Sequence, residues 1–233
     1  MQLERILFSQ GFGSRKLCRI LCYDSRVAVN GSVCDDPAAD FATASLQFSV
    51  DGTPWTYHEK AYLMLNKPAG YECSLKPQHH PGVHALLPAP LRERGVQTIG
   101  RLDEDTTGLL LFSDDGRFIH RMSSPKWKVP KVYHVTCKHA VDEKIATALK
   151  AGVQLHDEPA PVAALDCSVS STHGLILTLG EGKYHQVKRM VAAAGNRVEA
   201  LRRIAIGELQ LPEDLPERQW RWLTREELAL FGF

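Results

Sequence analysis

At 233 residues, with 44% hydrophobic and 24% charged side chains, the chain can bury a sizeable core and hold one large domain or two modest ones. A formal net charge of +1 excludes a global field drawing it onto nucleic acid, so any such surface must be a local patch. No leader pattern opens the chain, no apolar run approaches the roughly 18 residues of a membrane span, and the six scattered cysteines lack a Cys-x-x-Cys pair, so the expectation is a soluble, cytoplasmic protein with reduced thiols and no metal site.

The first predicted element is a short helix from Ser14, its N-cap, through Ser-Arg-Lys-Leu-Cys-Arg-Ile-Leu-Cys-Tyr. Helical stepping groups Arg15, Lys16 and Arg19 on one arc with no acid among them, and Leu17, Cys18, Ile20 and Leu21 on the opposite arc. Arg26-Val27-Ala28-Val29-Asn30-Gly31-Ser32-Val33 follows, and Asn-Gly between short alternating apolar runs predicts a hairpin closed by a type I′ turn. Asp35, Asp36, Asp40 and Asp51 offset the cations of this module, leaving its basic character one-sided. Residues 51–60, with Gly52 and Pro54, form a linker or small strand pair at a domain boundary.

Residues 61–71 predict a strand running into a Lys67-Pro68-Ala69-Gly70 turn. Residues 72–95, rich in Pro, His and Gly, predict a mobile loop. Gly100-Arg101-Leu102-Asp103-Glu104-Asp105-Thr106-Thr107-Gly108 then gathers three carboxylates and two hydroxyls, and Leu109 to Phe112 predicts a strand buried on both faces. Such a strand is a rigid mount for a reactive loop carboxylate. Farther on come a helix beginning at 118–122, the basic and aromatic loop 124–128, and an alternating strand at Lys131-Val132-Tyr133-His134-Val135. An amphipathic helix at 140–151 closes at Gly152. A last helix from near Tyr184 to Gly195 carries Val187, Met190, Val191 and Ala194 on one face and His185, Lys188 and Arg189 on the other.

By composition the loop is a polar turn between strands. Asp103-x-Asp105-x-Thr107 also fits the D-x-D-x-T pattern of aspartyl-phosphate phosphotransferases. That chemistry wants an apolar strand directly before the first Asp, where Gln97, Thr98, Gly100 and Arg101 stand, and a distant acidic pair, for which Asp114-Asp115 is too close.

Gly-Arg-Leu-Asp-x-x-Thr-x-Gly-Leu-Leu resembles the catalytic loop of the RsuA-like family of ribosomal RNA pseudouridine synthases. Three further stretches agree in order: Leu65-Asn66-Lys67-Pro68-Ala69-Gly70, the strand bearing Tyr133, and Glu181-Gly182-Lys183-Tyr184-His185-Gln186-Val187-Lys188-Arg189-Met190. The helix and Val-Asn-Gly hairpin of residues 1–50 resemble an S4 RNA-binding domain, with Glu4 where Asp is common and Ser25 where Gly is common. The resemblance implies an α+β chain: an S4-like domain at 1–50, a linker at 51–60, and at 61–233 a pseudouridine synthase domain on a mixed, mostly antiparallel sheet flanked by helices. The implied activity is cofactor-independent isomerisation of one uridine in rRNA, closest to the 16S, small-subunit type. A large-subunit target and a non-catalytic S4-type assembly factor are the alternatives. The expected partner is ribosomal RNA or an rRNA–protein assembly intermediate, with no membrane, and the expected state is a monomer.

The reaction breaks the N1–C1′ bond of a flipped-out uridine and joins C5 to C1′, so it needs an anionic carboxylate at the ribose, a uracil pocket and a base for the last proton. The resemblance assigns the carboxylate to Asp103, with Asp105 as rival; addition to C1′ and removal of a sugar proton are both open to it. A cation beside a carboxylate favours the anion. Lys188 occupies the aligned basic position, and Arg189 is the alternative. Tyr133 is expected to stack on the uracil and join the late proton transfer. Lys67, Arg101, Thr106 and His185 are expected at the pocket or on phosphate, and Arg15, Lys16, Arg19 and Arg26 on the RNA backbone.

Overall fold

The computed structural model describes the backbone of residues 1–233 and all side chains but that of Pro125. The chain forms two compact units, residues 1–61 with 87–97, and residues 62–86 with 98–233. Among the described residues no helix is long and apolar enough to cross a membrane.

In the first unit, α1 (Leu3–Ser9) and α2 (Arg15–Tyr23) accompany β1 (Val27–Val29), β2 (Ser32–Val33), β3 (Gln47–Val50) and β4 (Thr53–Thr56). The strands form an antiparallel sheet in the order β2-β1-β3-β4, so residues 53–56 belong to the sheet. Ser14 caps α2 by accepting the Leu17 amide at 3.3 Å. Val29 pairs with Ser32 across Asn30 and Gly31, both left-handed, which is the expected type I′ turn. Ser25 holds φ +56°, so a non-glycine residue adopts the bend that glycine would favour. Leu3, Ile6, Leu7, Cys18, Leu21, Cys22 and Phe48 are buried together. Leu17 and Ile20, expected on the packed arc of α2, are instead exposed, because the core takes the arc centred on Cys18, Leu21 and Cys22.

The expected mobile loop at 72–95 is ordered in two ways. The Glu72 carboxylate accepts the amides of Gln78, His79 and His80 at 2.9–3.1 Å, and α3 (Ala89–Glu93) packs in the first unit. There Arg94 donates to the carbonyls of His58 and Glu59, each at 2.7 Å, and to the buried Gln10 amide oxygen. These contacts interrupt the expected 61–233 domain at 87–97.

The second unit holds β5 (Tyr62–Lys67), β6 (Gln97–Ile99, begun in the first unit), β7 (Thr107–Ser113), β8 (Lys131–Cys137), β9 (Asp166–Ser171), β10 (Gly174–Leu179), β11 (Val198–Ile206), β12 (Leu209–Gln210) and β13 (Trp220–Trp222). The main sheet runs β13-β5-β7-β11-β8-β10-β9, and β12 returns on β11. β7 and β11 pair in parallel, whereas β13–β5, β5–β7, β11–β8, β8–β10, β10–β9 and β11–β12 are antiparallel. Leu109, Leu110, Leu111 and Phe112 are each 0% exposed, as an unbroken apolar strand requires. Leu109 and Leu111 pack with Phe118 and Met122 of α4 (Gly116–Ser123) and with Phe231, beyond α7 (Arg225–Ala229). The remaining helices are α5 (Glu143–Ala151) and α6 (Gln186–Ala193).

The parallel pair sets the base of the 100–106 loop. Arg203 of β11 lies opposite Gly108, which has φ +99°, and a Cβ there would sit 2.2 Å from the Arg203 carbonyl oxygen. The buried Arg203 guanidinium donates to the Leu109 carbonyl at 2.8 Å, tying the same two strands. Gly108→Ala is therefore expected to destabilise the protein by about 3 kcal/mol or more, combining a backbone clash with a disfavoured φ. A shift of the urea midpoint to lower concentration checks this, and an unchanged midpoint contradicts it.

Candidate active site

The loop carrying Asp103 is held from beneath by the last residue of β5 and the segment that follows it. Lys67 is 0% exposed, and its ammonium donates to the carbonyls of Pro68, Asp103 and Glu104, each at 3.0 Å, and of Thr106 at 2.8 Å. Gly70 N–H donates to the Glu104 carbonyl at 2.9 Å, and the Cys73 sulfur accepts the Leu102 amide at 3.4 Å. Burial pushes the Lys67 pKa below the usual lysine value despite the acids nearby. The expectation that Lys67 meets substrate or phosphate is thus corrected: three ammonium hydrogens serve four carbonyls, and none is left for RNA.

Above this clamp, Asp103 is half-buried at the rim of a cleft lined by Arg101, Leu102, Thr106, Tyr133, Lys188 and Leu201 among others. The Lys188 ammonium stands 3.4 Å from Asp103 Oδ2, and His185 Nε2 stands 3.4 Å from Asp103 Oδ1. Lys188 makes its shorter bonds to Asp105, at 2.7 and 2.8 Å to the two carboxylate oxygens. Burial opposes ionisation of both partners, yet the hydrogen bond prevails, lowering the Asp105 pKa and raising that of Lys188. Lys188 is therefore a shared cation anchored on Asp105 and turned toward Asp103, not an exclusive partner of Asp103.

Lys188 reaches this position because α6 buries Val187, Met190 and Val191 and leaves the opposite side to the cleft. The helix begins at Gln186, two residues later than the start near Tyr184 that the periodicity predicts. His185 is its N-cap in a left-handed conformation, φ +46°, so it stands off the helix face assigned to it. Gln186, which sequence reasoning passed over, is 4% exposed and fixes this turn. Its side-chain oxygen accepts the Lys183 amide at 2.9 Å and its NH₂ donates to Glu181 at 3.2 Å.

Tyr133, 7% exposed on β8, lines the cleft. Lys131, two residues earlier on the same strand, is pushed down to about 8 by burial and by the nearby Arg203 charge. Arg101 is exposed at the cleft. Thr106 also lines it, but is 2% exposed, with its hydroxyl 3.5 Å from Asp105, so its main contacts are within the loop. Arg189, the alternative partner for Asp103, instead pairs with Asp157 and donates to the Tyr184 carbonyl at 2.9 Å.

In the first unit, two of four expected RNA contacts already have acidic partners. Arg19 pairs with Glu4 of α1, so the cationic arc is not free of acid. Arg26 makes two 2.7 Å bonds to Asp51, closing the Val27–Val50 end of the β1–β3 pairing. Arg15 lies 5.3 Å over the Phe8 ring, and Lys16 is exposed.

Removing the clamp tests its weight. Lys67→Met leaves four carbonyls without their donor, and a loss of about 3 kcal/mol or more is expected. Turnover should fall with it, because Asp103 is no longer held. Hydrogen exchange should show faster exchange at the amides of Gly70 and Thr106 and little change at α1 and α2. Wild-type exchange and turnover in Lys67→Met would show that the clamp is dispensable.

The comparisons with known proteins converge on one family. The family profile described as RNA pseudouridylate synthase matches residues 61–193. A protein named ribosomal small subunit pseudouridine synthase A from Yersinia pestis is 39% identical over 233 residues, covering 100% of this chain and 98% of its own. Its namesake from Salmonella typhimurium is 39% identical with 100% of both chains covered. A solved structure described as a crystal structure of pseudouridylate synthase superposes with a TM-score of 0.70 at 33% identity, covering 99% of each chain.

Proposed function

The chain belongs to the RNA pseudouridylate synthase family, and from that premise we propose that it converts one uridine of 16S, small-subunit ribosomal RNA to pseudouridine with Asp103 as the acting carboxylate. The observation that carries the reading is the placement of Asp103 at a cleft with Tyr133, 3.4 Å from both Lys188 and His185, on a loop clamped by Lys67. The substrate is rRNA or an rRNA–protein assembly intermediate, met by a cytoplasmic monomer.

A flipped-out uridine enters the cleft ribose-first toward Asp103. The carboxylate either adds to C1′ or removes a sugar proton, and on both routes the N1–C1′ bond breaks while the uracil stays in the cleft. Tyr133 gives the freed ring an aromatic surface on which to turn. The C5–C1′ bond then forms, C5 gives up its proton and N1 gains one, so no atom is gained or lost overall. The Tyr133 hydroxyl is the group in the cleft suited to that last transfer. Lys188 stabilises negative charge at Asp103 without the short contact that would cap the attacking oxygen, because its close bonds go to Asp105.

Mapping pseudouridine across rRNA from cells with and without the protein tests the assignment. One small-subunit uridine should lose its modification; a lost site in large-subunit rRNA, or none, would overturn it. Asp103→Asn should bind RNA yet lose about four orders of magnitude in turnover or more, as removal of a catalytic-unit member does. Asp105→Asn should cost about ten- to hundredfold, through displacement of Lys188. Equal losses, read by tritium release from uridine C5, would give Asp105 an equal claim to the chemistry.

The first unit, S4-like in this reading, binds substrate and takes no part in the chemistry. Supporting this are Arg15 and Lys16, exposed and with no ion pair to an acid among the described residues. Phosphate contacts release counterions, with a log–log salt slope of about −0.7 to −0.9 per phosphate. Replacing Arg15 and Lys16 by Gln should weaken rRNA binding and flatten the slope by about 1.4–1.8, while leaving the single-turnover rate at saturating RNA unchanged. An unaltered slope would remove these two residues from the RNA interface.

A further inference from the structure

We infer that Tyr184 is a stacking platform for an RNA base flanking the target uridine, an inference that rests on the reading of the neighbouring cleft as the uridine site. Tyr184 is 76% exposed, the most exposed of the large hydrophobic side chains among the described residues. It is nevertheless oriented: its ring lies flat against His185, with centroids 3.9 Å apart and planes 16° from parallel. His185 in turn reaches Asp103 at 3.4 Å. The tyrosine thus stands one imidazole away from the acting carboxylate, with its other face open.

The backbone beneath the ring is fixed before any RNA arrives. Arg189 donates to the Tyr184 carbonyl at 2.9 Å while pairing with Asp157, and the buried Gln186 accepts the Lys183 amide at 2.9 Å. A flat aromatic surface held in one orientation costs little further ordering when a base settles on it. The residues around it are polar, with Glu181, Lys183, His185 and Arg189 beside it in sequence. Charged neighbours on both sides in sequence set this ring apart from a purely apolar docking patch. A single π face among charged groups suits single-stranded nucleic acid, whose bases stack whatever their identity.

The occupant is a flanking base, not the target itself. The cleft that would take the target is lined by Asp103, Tyr133 and Leu201, and Lys183 and His185 line it on either side of Tyr184 in sequence, while the Tyr184 ring lies beyond His185. Extruding one uridine breaks its stacking with both neighbours, and Tyr184 can replace one of those lost partners for the base left behind.

The test uses the full chain and a small-subunit rRNA fragment containing the modified uridine. Tyr184→Ala should weaken binding by about 5- to 150-fold, the range that base–aromatic stacking supports, and Tyr184→Phe should bind as wild type does. The single-turnover rate at saturating RNA should be unchanged in both. An abasic nucleotide on one side of the target should weaken wild-type binding as much as Tyr184→Ala does, and should cost that variant nothing more. Unchanged affinity in Tyr184→Ala, or abasic and alanine losses that simply add, would overturn the inference. A collapsed saturated rate with a shifted pH profile and normal affinity would also overturn it, making Tyr184 a support for His185. Wild-type protein forming no pseudouridine in this RNA would instead overturn the functional reading, and is visible without any substitution.

Discussion

The site depends on one buried ammonium. Asp103 stands at the rim of a cleft on a loop of seven residues between β6 and β7, and such a loop has few hydrogen bonds of its own. Lys67 supplies them from below, gathering the carbonyls of Asp103, Glu104 and Thr106 around a single point. Taking an ammonium out of water costs several kcal/mol, and the depressed Lys67 pKa carries that penalty. Charge-assisted hydrogen bonds at about 1.5–3 kcal/mol each are of the size needed to offset it. Because the acceptors are backbone atoms, the clamp fixes the loop's path without using any loop side chain.

The second constraint is how charge is divided above the clamp. Two carboxylates, Asp103 and Asp105, face one lysine, and the geometry gives the short, two-oxygen contact to Asp105. Asp103 receives the field of the same ammonium at 3.4 Å, together with His185 on its other oxygen. An acid gripped at hydrogen-bond distance on both oxygens would have to break those bonds to approach a sugar. Anchoring the cation on a neighbouring acid avoids that cost and, in the proposed role of Asp103, keeps positive charge beside the anion that acts.

What was legible in the sequence was what local chemistry or a dense motif encodes. Leu109 to Phe112 could only be buried on both faces, Asn30-Gly31 could only close a tight hairpin, and Ser14 had the oxygen to cap α2. The Asp103 loop, Tyr133 and Lys188 were found through resemblance, and the fold brings them to one cleft. What was missed depends on partners distant in sequence. Nothing near Lys67 says that its acceptors lie at 103–106, and a lysine at a strand end ordinarily reaches water. Arg19 with Glu4 and Arg26 with Asp51 pair across 15 and 25 residues, so a wheel drawn on α2 sees Arg19 as a free cation and the hairpin read alone sees Arg26 as another. His185 defeats the wheel on α6 for a different reason: a left-handed residue ends the helical geometry on which the wheel depends.

That left-handed residue has a constructive role. Were α6 to continue through His185 and Tyr184, both side chains would follow helical steps of about 100° and could not lie flat against each other. The reversal of φ at His185, with Gln186 bonded back to Lys183, turns the two rings into a parallel stack at the cleft. Strain at a non-glycine residue in this region costs of order 1–3 kcal/mol and persists where the surroundings fix it. Here the surroundings are the Gln186 bonds within the turn and Arg189 of α6, which donates to the Tyr184 carbonyl while pairing with the distant Asp157. The result is an imidazole directed at Asp103 and a tyrosine face directed away from it, so one backbone bend sets both the inner contact to the carboxylate and the outer surface offered to RNA.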